Sequence, residues 1–331
     1  MTRCFKKHLG ERVHLHVCKS YHSHTHQSSA LTAERVANEM REAMQQKPCD
    51  RISVVCHSLG GIVMIWALHL LNRSNYLSGS VQLVNFVTIA SPLLGIRGSF
   101  LGQNVMSVVK RLTPATREMC LEDTYCDTAA QPAAAAASDE PASTRDGPFL
   151  LRVARPDVLA VLGRFQRRAV YANAHGDLQV GYESAALEHG KPCTPWASSA
   201  EAPHISAASA EGGRDHAPSA PPAAAESAWL ARDAKRAVIL EMMRAYRTLP
   251  WERVDCLFGT AVAPSPFAHE QILGKVLGGL LEHRRGADVV EHVVRRFRVR
   301  DDEEESRGAA HAAAAAAARP PRASTASDER L

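Results

Sequence analysis

The chain has 331 residues, 45% hydrophobic and 22% charged, which suits one α/β domain carrying insertions better than two equal domains. A net charge of +4 is too mild for a nucleic-acid partner, and Arg295, Arg296 and Arg298 lie beside an acidic run at 301–305 that offsets them. Aromatic residues make up only 5%, and alanine supplies much of the apolar count, so the expected core is small for the length.

In chain order, the first regular signal is RVHLHV at 12–17. There Val13, Leu15 and Val17 alternate with polar residues and predict a strand. From 31 to 46 the period lengthens. Ala33, Val36, Ala37, Met40, Ala43 and Met44 mark one face of a helix. The apolar run Ile52 to Cys56 predicts a buried parallel strand, and after a tight turn Gly61 to Leu68 predicts a buried helix. Another strand is expected over Val84 to Ala90. Such alternation argues for βαβ units on a mostly parallel sheet.

Beyond Gly98 the pattern weakens. Residues 128–147 and 193–226 are rich in Ala, Ser and Pro and are expected to be disordered inserts. Between and after them come a helix around Val158 to Arg168, a strand at Ala169 to Ala174, a helix near 228–246, a strand at Arg253 to Gly259 and a helix from Ala287 to Arg298. The folded domain is thus expected over 10–300, with a disordered acidic and Ala-rich tail over 301–331.

Eight scattered cysteines show no CxxC pair, and Cys18, Cys56 and Cys256 sit in apolar runs as small hydrophobes. The first residues are charged and lack an apolar segment, and no 18-residue apolar stretch occurs. These features predict a cytoplasmic protein whose contact with membranes is at most peripheral.

The chemistry concentrates at Val54-Val55-Cys56-His57-Ser58-Leu59-Gly60-Gly61. An apolar strand, a sharp turn bearing serine, and small residues opening a helix form a nucleophile elbow. Glycine after the serine lets the helix pack close to the strand, and the helix N-terminus favours developing negative charge. Cys56 stands where this motif usually has glycine. A nucleophilic Ser58 needs a base, and the base needs an orienting acid, in the chain order Ser, Asp or Glu, His. Asp177 lies just past a predicted strand in Ala174-His175-Gly176-Asp177, where a plain turn aspartate is an equal reading. His269 ends a Pro-rich loop after the last predicted strand. His292 falls in mid-helix among valines, and His189 and His283 follow no strand. His57 reads as a turn residue. His22, His24 and His26 alternate in a polar loop without acidic or cysteine partners and read as solvated, so no metal or organic cofactor is expected.

Several segments resemble the putative serine esterase family of lipase-like α/β-hydrolases: ERVHLHVCKS, AERVANEM, ISVVCHSLGG, VNFVTIASPLLGIRG, RRAVYANAHGDLQVGY, LPWERVDCLFG, FAHEQI and GADVVEHVVRRF. They extend from about residue 10 to about 298. The resemblance implies a three-layer α/β-hydrolase fold, with the nucleophile at Ser58, the acid at Asp177, the base at His269 and the Leu59 N–H as one oxyanion-hole donor. It implies an ester substrate, most naturally an acyl lipid. Leu93 stands where the family tends to have histidine. The family also places an apolar strand ending in His-Gly, then a loop and helix, ahead of the point where this chain starts. That loop supplies the second oxyanion donor, worth on the order of a hundredfold to a thousandfold in turnover. The expectation is therefore a sheet lacking its N-terminal strands. Two rival readings stay open: a non-catalytic lipid- or protein-binding remnant, and an acyltransferase using the same triad.

Overall fold

The computed structural model describes residues 1–22, 26–77, 79, 81–96, 113–124, 147–188, 205, 234–258, 268–273, 275–276, 281–282 and 286–297. The chain divides into a unit of residues 1–295 and a second of 296–331, of which only Arg296 and Phe297 are described. The first unit holds the sheet and the candidate site.

The unit opens with α1 (Thr2–Leu9), then α2 (Ser29–Gln46), β1 (Arg51–His57), α3 (Gly60–Arg73) and β2 (Gln82–Ile89). Among the described residues, three short helices follow, α4 (Pro114–Met119), α5 (Phe149–Val153) and α6 (Pro156–Gly163), before β3 (Arg167–Asn173). Then come α7 (Tyr182–Ala186), α8 (Ala234–Arg247), β4 (Glu252–Cys256) and the one-turn α9 (Ala268–Gln271). A small antiparallel ladder, β5 (Lys275–Val276) with β6 (Leu281–Glu282), and α10 (Ala287–Arg295) complete it.

β1 to β4 form one sheet in sequential order, every pair parallel. Helices cover both faces, as the alternation of side chains along β3 demands. Val170 joins the large apolar cluster with residues of α2 and α3, while Tyr171 points the other way and bonds His292 of α10, Tyr171 Oη to His292 Nδ1 at 3.0 Å. This is the expected three-layer α/β architecture. No helix among the described residues is long and apolar enough to cross a membrane.

The core makes its few aromatics count. Phe86 meets Phe165 at 5.4 Å and Trp251 at 6.1 Å between ring centroids, and Trp251 meets Tyr246 at 6.4 Å, all edge to face. Trp66 and Phe149 make a similar pair. Ile52, Val54 and Cys56 of β1 all enter the same cluster, so the thiol packs as a buried apolar group, and burial pushes its pKa up. Leu93 is fully buried there too.

Two elements differ from expectation. Residues 13–19 form no strand; a 3₁₀ turn at Gly10–Arg12 leads into an irregular segment. Alternation alone does not make a strand, because a strand needs a neighbour for its backbone groups. Here the backbone is held by α2 instead. Both oxygens of Glu39 accept from Lys19 N at 2.9 Å, one accepts from Ser20 N at 2.8 Å, and the other meets His16 Nε2 at 2.9 Å. Val17 is left 49% exposed. The helix expected over Val158 to Arg168 also ends early, at Gly163, because Arg167 and Arg168 begin β3. The inserts at 128–147 and 193–226 lie outside the described residues apart from Gly147 and Ile205. Ile205 is fully buried and bridges Cys256, so the second insert reaches the sheet at that point. The tail at 301–331 lies outside the described residues.

Candidate active site

The site grows from the carboxyl end of the sheet, on segments that follow β1, β3 and β4, where parallel sheets gather their loops. β1 ends at His57, which pairs with Ile89 of β2, and Ile89 pairs with Tyr171 of β3. The next residue, Ser58, sits at φ 53°, in the left-handed region that a non-glycine residue enters only when its surroundings hold it there. Its N–H donates to Ile89 O at 3.0 Å, which fixes the turn to the sheet. Leu59 follows as the N-cap of α3, which starts at Gly60.

Close packing of α3 depends on Gly61. A Cβ there would lie 2.5 Å from Ser91 Oγ and 2.8 Å from Ser91 Cβ, whereas one on Gly60 would meet nothing within 4 Å. The elbow therefore needs its second glycine for space and not its first.

The segment that carries Asp177 leaves β3 at Asn173 and turns through Gly176 at φ 79°. Asp177 is held from four directions. Oδ1 accepts from Gln179 N and Val180 N, both at 2.9 Å; Oδ2 accepts from Asn173 Nδ2 at 2.7 Å and meets His269 Nδ1 at 3.0 Å. Burial opposes ionisation of this carboxyl, but the His269 hydrogen bond and charge, with Val180 and Asn173, outweigh it and hold the pKa below the ordinary value. Asp177 is thus an ionised partner that fixes the His269 tautomer with its proton on Nδ1.

The other nitrogen of that ring, Nε2, lies 2.8 Å from Ser58 Oγ. With Nδ1 protonated, Nε2 is free to accept the serine proton. His269 is 4% exposed and Ser58 is half-buried. The structure therefore brings Ser58, His269 and Asp177 into one hydrogen-bonded line, and Leu59 adjoins the serine at the helix start.

Other expectations resolve by position. His292 bonds Tyr171 in the layer beneath α10. His24, His189 and His283 lie outside the described residues. Two further groups touch the site: Asn173, which the sequence did not single out, and His57, expected as a turn residue but found as the last residue of β1. Asn173 donates to Asp177 Oδ2 and to Ala268 O, and His57 Nε2 is 3.0 Å from His269 O. Asn173 opens the segment Asn-Ala-His-Gly-Asp, and a buried polar residue at a strand end, four before the acid, was the available signal.

Away from the site, a ring nitrogen of His16, Cys18 Sγ and a Glu39 oxygen lie within 4.8 Å of one another. The Glu39 carboxylate is already engaged by two backbone N–H groups and His16, and that cluster reads as the pin for residues 13–20.

The family model described as "Putative serine esterase (DUF676)" matches residues 2–193. The chain belongs to this family. Ser58 and Asp177 fall inside the matched span and His269 beyond it. "Putative lipase YDL109C" of Saccharomyces cerevisiae is 29% identical over 154 residues, 46% of this chain and 21% of the relative. The chain thus spans about a fifth of the length of that curated relative. No solved structure matches it.

Proposed function

We propose that this esterase-family member hydrolyses carboxylic esters of acyl lipids, with Ser58 as nucleophile, His269 as general base and acid, and Asp177 as the orienting carboxylate. The carrying observation is the continuous line Ser58 Oγ to His269 Nε2 at 2.8 Å and His269 Nδ1 to Asp177 Oδ2 at 3.0 Å. Two such contacts on one ring, with an ionised acid on the far side, match what an activated serine requires.

As His269 Nε2 takes the proton, Ser58 Oγ bonds to the ester carbonyl carbon, and the carbonyl oxygen becomes an oxyanion. The Leu59 N–H at the start of α3 stabilises that charge, together with the positive end of the helix. His269 then returns the proton to the leaving alcohol, and the C–O bond breaks to leave an acyl-serine. Water, deprotonated by the same imidazole, attacks the acyl carbon, releases the fatty acid and restores Ser58. Asp177 stabilises the imidazolium in both halves. An acyl-lipid substrate agrees with the name of the yeast relative, "Putative lipase YDL109C". It also entails contact with a lipid surface.

The test is hydrolysis by the purified chain of chromogenic acyl esters of graded chain length and of a dispersed acylglycerol, beside Ser58→Ala. Hydrolysis that the variant abolishes supports the reading. Equal activity in the variant would remove Ser58 from it. Binding of lipid without turnover by a folded chain would favour the non-catalytic alternative, and an acylated alcohol among the products would make the enzyme a transferase.

A further inference from the structure

We propose that His57 is a positioning residue for His269, a role that rests on the catalytic reading above. The problem it solves is geometric. His269 sits on α9, four residues long, which is too short to orient itself. Hydrogen bonds along the turn, such as Ile272 N to Ala268 O at 3.2 Å and Leu273 N to Glu270 O at 3.0 Å, shape it but do not aim it. Its direction must come from groups outside.

Two such groups grip consecutive carbonyls. Asn173 Nδ2, at the end of β3, donates to Ala268 O at 3.3 Å; His57 Nε2, at the end of β1, donates to His269 O at 3.0 Å. Both donors lie on strands of the same sheet, and both elements carry catalytic groups: Ser58 follows His57 directly, and Asn173 also bonds Asp177. The base is therefore tied to the nucleophile's strand and to the acid's strand. A carbonyl oxygen only accepts, so His57 keeps a proton on Nε2 whether its ring is neutral or charged. The same requirement prevents that nitrogen from serving as a second base. The two imidazoles lie 4.8 Å apart between centroids, tilted by 42°, so the His57 ring also packs against the one it positions.

Near-attack geometry explains why such a tie matters. A displacement of about 1 Å at a catalytic group can cost on the order of a hundredfold. Removing the His57 donor should let the His269 turn pivot about the Asn173 contact and lengthen the 2.8 Å approach to Ser58.

His57→Phe keeps an aromatic ring and loses the donor; His57→Gln keeps an N–H near the Nε2 position. The expected results are a kcat about tenfold to a hundredfold lower in His57→Phe at unchanged KM and unfolding temperature, with most of the loss recovered in His57→Gln. A second readout does not depend on turnover. The far-downfield proton resonance of the His269–Asp177 hydrogen bond, assigned by its loss in Asp177→Asn, should broaden in His57→Phe and return in His57→Gln. Wild-type kcat with an unbroadened resonance in His57→Phe would overturn the proposal, as would equal damage in both variants. If the wild-type chain hydrolyses no ester, the catalytic reading fails, and the resonance in the two variants still decides whether His57 positions the ring.

Discussion

Ser58 shows how much one residue's conformation asks of its neighbours. Its φ of 53° is unfavourable by roughly 1–3 kcal/mol for a residue with a Cβ, and the structure holds it with the Ser58 N to Ile89 O bond and the tight seat of α3. The space for that seat comes from Gly61. Gly61→Ala should therefore destabilise the fold by about 1–3 kcal/mol, since Ser91 must move to admit a methyl group. Gly60→Ala, with open space around it, should be neutral or slightly stabilising. Thermal melts of both variants check the contrast, and an equal loss in the two would contradict this account of the elbow. At Asp177, replacement by Asn removes the charge that fixes the His269 tautomer. Turnover should fall roughly a thousandfold to ten-thousandfold while the fold persists, as measured by kcat beside circular dichroism. Because the Asp177 pKa is depressed, its contribution to stability is fully present above the ordinary carboxylate range. It is lost as pH falls through the lowered value.

Two carboxylates join elements rather than residues, and they carry opposite pH signatures. Glu39 of α2 pins residues 13–20. Burial works against its charge, but Ser20, Lys19 and His16 prevail and lower its pKa to about 2 from 4.5. The stability it supplies is complete above pH 4.5 and fades as pH drops toward 2. Glu39→Gln should accordingly expose the segment at neutral pH, read as faster proteolytic cleavage near Lys19 with the sheet intact. Glu118 of α4 does the reverse. It accepts from Ser29 N at 2.8 Å at the start of α2, and burial raises its pKa to about 7 from 4.5 despite that bond. The folded state then binds the proton more tightly than the unfolded chain does, so this group's contribution declines as pH rises from 4.5 to about 7. Glu118→Gln keeps an acceptor for Ser29 N and no longer titrates. Denaturant unfolding across that range should show a flatter profile in the variant; parallel profiles would contradict the assignment. The strand expected at 12–17 shows the limit of periodicity at this scale. Alternation at Val13, Leu15 and Val17 says which residues could share a face, not whether a neighbour exists to pair with them.

Across the molecule, the legible part of the fold was the part set by local periodicity. β1, α3, β2, β3 and β4 each announce themselves as short apolar runs or a 3.6-residue stripe, and their alternation yields the parallel sheet. The candidate site was readable for a related reason. Ser58, Asp177 and His269 all follow strands, and a parallel sheet places such residues together at one end. What the sequence withheld were contacts made across long separations: His57 with the carbonyl of His269, Asn173 with Ala268, and Glu39 with the backbone at 19 and 20. Each joins a side chain to a backbone group, and backbone groups leave no mark in residue type. Membership of the putative serine esterase family rests on residues 2–193, which end before His269, so the role proposed for His269 stands on geometry: 2.8 Å to Ser58 and 3.0 Å to Asp177.

The most direct test of that line is covalent labelling of the purified chain by a fluorophosphonate, followed by mass spectrometry of the modified peptide. An activated serine should react at Ser58 alone, with labelling abolished in Ser58→Ala and reduced by orders of magnitude in His269→Ala. Absence of labelling in a demonstrably folded chain, or labelling that survives in His269→Ala, would contradict the claim that this hydrogen-bonded line is a catalytic triad.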